Sequence, residues 1–257
     1  MSKLNEMPFL EHLSDLRQCL LKTILGIFTA SILAYFFSND VFRILTEPIR
    51  DNFSELELIG TGPAEAFVVK LKTALICGII LSCPFTFLQL WNFISPALHQ
   101  HEKKLTIPFV FVSSIFFFLG IVFCYYTILP FAFKFFQKEY LSIGIEANIK
   151  IGEYLSFVTK LLLIFGAVFE LPVLSFIFAK LGILTDKWLI SKFRYVIVLA
   201  FALAAVITPP DIITQILLAS ALIVFYGICI LVTYCVNKTP SKESSITPNK
   251  PIEKNPK

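Results

Sequence analysis

Four groups of polar side chains have types and spacings that could do chemistry in a chain this apolar. The first is Glu170, inside the run "LLLIFGAVFELPVLSFIFAK" from Leu161 to Lys180. A charged side chain at the centre of a membrane span costs roughly 2.5–3.5 kcal/mol on insertion scales, so its presence needs a reason. A protonated or hydrogen-bonded carboxyl stapling two helices is one reason. A polar contact in a water-containing cavity, or with a partner, is the other. Pro172 removes a backbone donor two residues on, which kinks the helix and makes room beside the carboxyl.

The second group is the loop "WNFISPALHQHEKK", Trp91 to Lys104. Aromatic residues followed by lysines make an interfacial anchor. That leaves Glu102 unexplained, an acid kept beside Lys103 and Lys104, where a carboxylate can accept a guanidinium through two parallel hydrogen bonds. In the third, "MPFLEHLSDLRQCLLK", Glu11 and Asp15 are four apart and share a helical face. Leu10, Leu13, Leu16 and Leu20 form the apolar stripe of an amphipathic helix, and a solvated face would also account for the acids. The fourth, "ITPPDIITQ", sets Thr208, Asp211 and Gln215 around a Pro-Pro turn, where Asp211 can cap the following helix.

Catalysis and metal chemistry have little material. The chain lacks a phosphate-binding G-x-x-x-x-G-K-[ST], an H-E-x-x-H and a nucleophile elbow, and its three histidines are His12, His99 and His101. No cofactor or metal is expected, and the chain does not read as an enzyme. The six cysteines lie in or beside apolar segments without a C-x-x-C pair, unlike a disulfide frame or zinc site. A net charge of +4, spread between apolar runs, gives no footprint for nucleic acid.

The elements that must position these groups are membrane helices. Of 257 residues, 56% are hydrophobic and 16% charged, and the 28 phenylalanines exceed what one water-soluble core could hide. About 20 apolar residues cross the hydrocarbon core. Six candidate spans follow: Leu20 to Phe37, Thr73 to Trp91, Leu105 to Phe131, Leu155 to Ala179, Tyr195 to Ile207 and Ile212 to Val236. The fifth has thirteen residues and reads as a thin span or a shallow hairpin with "TPPD" at its tip. Either way both termini share one face. Fourteen of the 22 Lys and Arg then fall on that face, which makes it cytoplasmic. The acidic segment Ser38 to Ala66 should form a structured outward cap. "FKFFQKEY" should extend the third helix or lie along the interface. Three regions result: a cytoplasmic amphipathic segment at 1–19, a membrane domain at 20–236 and a disordered cytoplasmic tail at 237–257.

In order and spacing, "HLSDLR", "FLQLWNFISPALHQHEKK", "FGAVFELPV" and "ITPPDIITQ" together resemble the TatC family, the multispanning core subunit of the twin-arginine protein translocase. The resemblance runs from about Pro8 to Lys238. It implies an all-α protein of the bacterial cytoplasmic (inner) membrane, six transmembrane helices with the last two short, in a glove-like concave bundle. It also implies a receptor for paired-arginine signal peptides of folded proteins, driven by the proton-motive force, with Glu102, Phe93, Glu11 and Asp15 at the signal-peptide site. Thr208, Asp211 and Gln215 would dock single-span subunits of the TatA and TatB type. Glu170 would face the concave side as an intramembrane polar site. Membrane lipid and further copies within a larger complex complete the implied partners. The alternative reading is a proton- or sodium-coupled secondary transporter using Glu170.

Overall fold

The structure, a computed structural model, describes residues 3–50, 58–94, 106–145, 147–208 and 212–238, with the side chains of 3–12, 94 and 106 outside the description. Ten α-helices carry nearly all of it. The amphipathic N-terminal segment and the first span form one unbroken helix, α1 (Lys3–Phe36), so no linker separates the two. The expected cap holds α2 (Ser38–Arg50) and a two-residue strand, β1 (Leu58–Ile59). The second span is bent. It consists of α3 (Glu65–Leu81) and α4 (Cys83–Ile94), which meet at 53° around Ser82. Pro84, second in α4, cannot donate to the preceding turn, and this is the physical cause of the break.

The third span is the longest. It runs as α5 (Thr106–Phe123), a π-helical turn (Cys124–Ile128) and α6 (Leu129–Ile143). "FKFFQKEY" therefore extends that helix. Gly144 ends it in the left-handed conformation, φ 68°, that glycine adopts at no steric cost. Strand β2 (Ile149–Lys150) pairs in parallel with β1, then α7 (Ile151–Phe169) and α8 (Leu171–Lys180) form the fourth span. The chain closes with α9 (Asp186–Ile207) and α10 (Ile212–Lys238).

The last two helices differ from expectation in one respect. Taken as helices they are not short, with 22 residues in α9 and 27 in α10. The thirteen-residue run Tyr195 to Ile207 is only the apolar part of α9. Charged turns from Asp186 continue the same helix, and Thr185 caps it by accepting from the Trp188 amide.

Helix α7 is the centre of the bundle. Leu155, Val158, Leu161, Leu162 and Phe165 are buried along it, within a cluster that also takes in Leu45 and Ile49 of α2, Phe133 of α6 and Leu218 of α10. Helix α1 packs on α3 and α4, α5 on α7, and α10 on both α8 and α9. Two crossings depend on glycine. A Cβ at Gly78 would lie 2.1 Å from Ser31 Oγ of α1, and one at Gly120 would lie 2.4 Å from the Phe165 carbonyl oxygen of α7. No real Cβ tolerates either approach, so these small residues set how closely the backbones meet.

At the end carrying β1 and β2, the cap is tied by polar contacts. Tyr154 of α7 donates to the Leu45 carbonyl at 2.6 Å, and Tyr125 of the π turn donates to the Ile44 carbonyl at 2.8 Å. Glu65, at the start of α3, accepts through Oε2 from the amides of Thr61 and Gly62 and through Oε1 from the Gly152 amide of α7.

Candidate functional site

Glu170 occupies the junction between α7 and α8. Its backbone is helical, φ −74° and ψ −21°, and its carbonyl accepts from Leu174 N at 2.9 Å. With Pro172 second in α8, the Val168 carbonyl loses its i+4 donor and is met instead by a backbone N–H of the α7 cap, which tightens that turn while the two helices still form one span. The side chain is 5% exposed and lies inside the bundle, away from lipid.

Its surroundings follow from the close crossing of α5 and α7. These helices run antiparallel through Gly120 and Gly166. Moving one turn beyond Gly166 to Glu170 therefore corresponds to moving back along α5 toward Ser113, two turns before Gly120. Ser113 is fully buried and acts electrostatically on the Glu170 carboxyl, and Cys83 of α4 lies within range of its charge. Among the described residues, neither carboxyl oxygen nor the Ser113 hydroxyl has a hydrogen-bond partner of ordinary geometry. Buried polar atoms are nearly always paired, so this buried carboxyl beside a buried hydroxyl is a polar feature of the bundle interior with capacity for a further donor.

Toward the loop 95–105 the wall becomes aromatic. Trp91 stacks on Phe109 with ring centroids 4.3 Å apart, and Val173 and Ile177, one and two turns beyond Glu170, complete that cluster. Phe93 is half-buried at the end of α4, on this same side of the molecule. Asp15 is exposed on α1. Glu102, Asp211 and the side chain of Glu11 lie outside the described residues.

The remaining sequence candidates sit apart, between α9 and α10. Thr208 is buried and ends α9, its hydroxyl donating to the Ala204 carbonyl at 2.9 Å. Gln215 is half-buried and donates through Nε2 to the Phe201 carbonyl at 3.3 Å. Both bonds are local, within α9 or between α9 and α10. The structure does not bring these two residues into contact with Glu170.

Sequence reasoning passed over Ser113 and gave Glu65 no role beyond its charge. The pair Ser113-Ser114 in "FVFVSSIFFFLG" is the signal that pointed to the first, two hydroxyls in an otherwise apolar run. Among the described residues, no group of three or more His, Cys, Asp or Glu is placed to hold a metal.

Five helices, or six spans with the bent α3–α4 pair taken as one, are long and apolar enough to cross a bilayer. The molecule is thus a polytopic α-helical membrane protein with a carboxyl group buried inside the bundle. Residues 11–220 match the family model described as Sec-independent protein translocase protein (TatC). The Magnetococcus marinus protein named Sec-independent protein translocase protein TatC is 41% identical over 224 residues, covering 87% of this chain and 82% of that one. The Aquifex aeolicus protein of the same name is 38% identical over 225 residues, covering 87% and 93%. A crystal structure of the twin arginine translocase receptor TatC superimposes with a TM-score of 0.83 at 36% identity, covering 88% of this chain and all of that one.

This chain belongs to the TatC family. It is accordingly a multi-pass protein of the inner membrane and a component of a protein translocase, not an enzyme. These relatives give the transporter reading no support.

Proposed function

We propose that this chain is the receptor and core subunit of a twin-arginine translocase, binding paired-arginine signal peptides of folded proteins for export driven by the proton-motive force. The match along residues 11–220 to the family named for that translocase carries the reading. In it Glu102 accepts the peptide's guanidinium, Phe93 lines the same site, and Glu11 and Asp15 add negative charge. Both termini face the cytoplasm, where the signal peptide arrives. TatA- and TatB-type single-span subunits dock along α9 and α10 near Thr208, Asp211 and Gln215, and several copies of the chain share one complex.

The half-buried Phe93 and the aromatic wall of Trp91 and Phe109 support a peptide site at that end. From there Val173 and Ile177 continue the same buried cluster along α8 toward Glu170, an apolar seam with a carboxyl beyond it. The test is a twin-arginine peptide bearing a photo-crosslinker. Adducts near Phe93 and Glu102 should disappear when both arginines become lysines, because an ammonium cannot reproduce the fork geometry. Equal labelling by the two peptides would refute guanidinium recognition.

A further inference from the structure

Two lysines stand in the membrane-spanning part of the bundle with no carboxylate partner among the described residues. Lys72 lies two turns into α3 and Lys160 two to three turns into α7, and both are exposed on the outside of the bundle. The Glu65–Gly152 bond joins the starts of those two helices. With a rise of about 1.5 Å per residue, Lys72 is rooted about 10 Å below that tie and Lys160 about 12 Å below it. The two cations therefore sit at matching depth, near the end of the bundle that carries β1 and β2.

They also share a face. Lys72 Nζ donates to Ser156 Oγ at 3.1 Å, and Ser156 in turn donates to the Gly152 carbonyl at 2.7 Å. Ser156 is one turn before Lys160 on α7, so the hydroxyl that holds Lys72 places it beside the Lys160 stripe. Two N–H groups of Lys72 remain free, and Lys160 makes no hydrogen bond or ion pair with any described residue.

Among the described residues, the acids at the starts of α3 and α7 are engaged. Glu65 is occupied by the amides of Thr61, Gly62 and Gly152, and Glu153 pairs with Lys150 at 3.6 Å. Lys70, also on α3, lies over the Tyr35 ring at 5.4 Å. An ammonium in a membrane span is costly unless its stem carries it to the interface and an anion receives it there.

We infer that Lys72 and Lys160, with Ser156 fixing the first, form a binding site for the phosphate of an anionic phospholipid in the leaflet at the β1–β2 end of the bundle. A phosphate diester offers several acceptor oxygens at once, matching two ammonium groups on one face. Its acyl chains cover the apolar flanks of α3 and α7, including exposed Leu71 and Leu75. A lipid fits this site better than a partner helix does, because both side chains are exposed on the outside of the bundle and a lysine stem can carry its ammonium from within a span toward the headgroups.

The test uses the full chain in detergent, with lipids titrated and bound lipid counted by native mass spectrometry. Phosphatidylglycerol should bind more tightly than phosphatidylcholine. Lys72→Gln with Lys160→Gln should weaken phosphatidylglycerol about fivefold per lysine. Lys134→Gln with Lys138→Gln, two exposed lysines on α6 at the same end of the bundle, removes equal charge outside the pair and should leave binding unchanged. Ser156→Ala keeps both charges and should give a smaller loss, which serves if the double variant does not fold. Unchanged binding in the site variants, or equal loss in the α6 control, overturns the proposal. So does competition by inorganic phosphate alone at equal concentration, which would assign the site to a free anion. Loss of a single-span partner with lipid binding intact overturns it in favour of a protein carboxylate.

Discussion

Glu65 and Glu170 are the same residue type at similar places, each where a helix begins after a break, and their environments are opposite. Glu65 lies at the protein's edge and accepts from three backbone amides and the Thr61 hydroxyl. Glu170 is 5% exposed and neither of its oxygens has a hydrogen-bond partner of ordinary geometry among the described residues. The first is a completed joint that closes the loop before α3 onto α7. The second is removed from water beside the Ser113 hydroxyl, and an enclosed carboxyl is costly unless donors meet it. Position in an apolar run singles out a carboxylate, but its partners decide whether it is a tie or a site.

That contrast can be broken most severely at the helix crossing that encloses Glu170. Gly120→Val places a branched side chain where even a Cβ would be 2.4 Å from the Phe165 carbonyl oxygen. Overpacking of this kind costs about 1–3 kcal/mol or more, and here backbone rather than a side-chain tip must move. The expected result is loss of protein from the membrane fraction, together with export. Normal accumulation would show that α5 and α7 need not approach so closely.

Next in size is Glu170→Ala. Because it removes an unpaired buried group, the protein should accumulate normally while export of a twin-arginine reporter falls at least about tenfold, the loss of roughly 1.4 kcal/mol in one interaction. Reduced accumulation with proportionate export would make Glu170 a structural staple. The smallest effect belongs to Glu65→Gln. The amide keeps one acceptor oxygen of two, so hydrogen exchange at Thr61, Gly62 and Gly152 should quicken while export changes little. Unchanged exchange at Gly152 would mean that the tie to α7 contributes nothing in the membrane.

Much of this architecture was legible in the amino-acid pattern because bilayers impose a simple length rule on apolar helices. The apolar runs were found on that rule, and the segment after the first span was read as a structured cap from acids and breakers that exclude a tight turn. The 53° break at Ser82 was not read, although Pro84 marks it, because hydropathy averages across a bend. The extent of α9 was misjudged for a related reason: hydropathy ends at Tyr195, whereas the hydrogen-bond ladder continues back to Asp186. The β1–β2 pairing involves two residues from each strand and leaves no periodic signal.

The site was legible in part. Glu170 stands out by its chemistry alone, but its lack of partners depends on which helix faces α7, and that is decided by the glycine crossing with α5. Lys72 and Lys160 entered the sequence reading only as charges to be counted. Their pairing across α3 and α7 appears once Glu65 has joined the starts of those helices.

The π turn at Cys124–Ile128 acts as an angular offset within the third span. One extra residue per turn swings everything beyond it by about 100° relative to an uninterrupted α-helix. That swing aims Phe133 at Tyr154, where their rings stack at 5.5 Å, and aligns Tyr125 with the α2 backbone. The roof over the bundle is thus oriented by a single inserted residue lower down. A chain one residue shorter at that point would keep every apolar segment and still turn its roof to the wrong side.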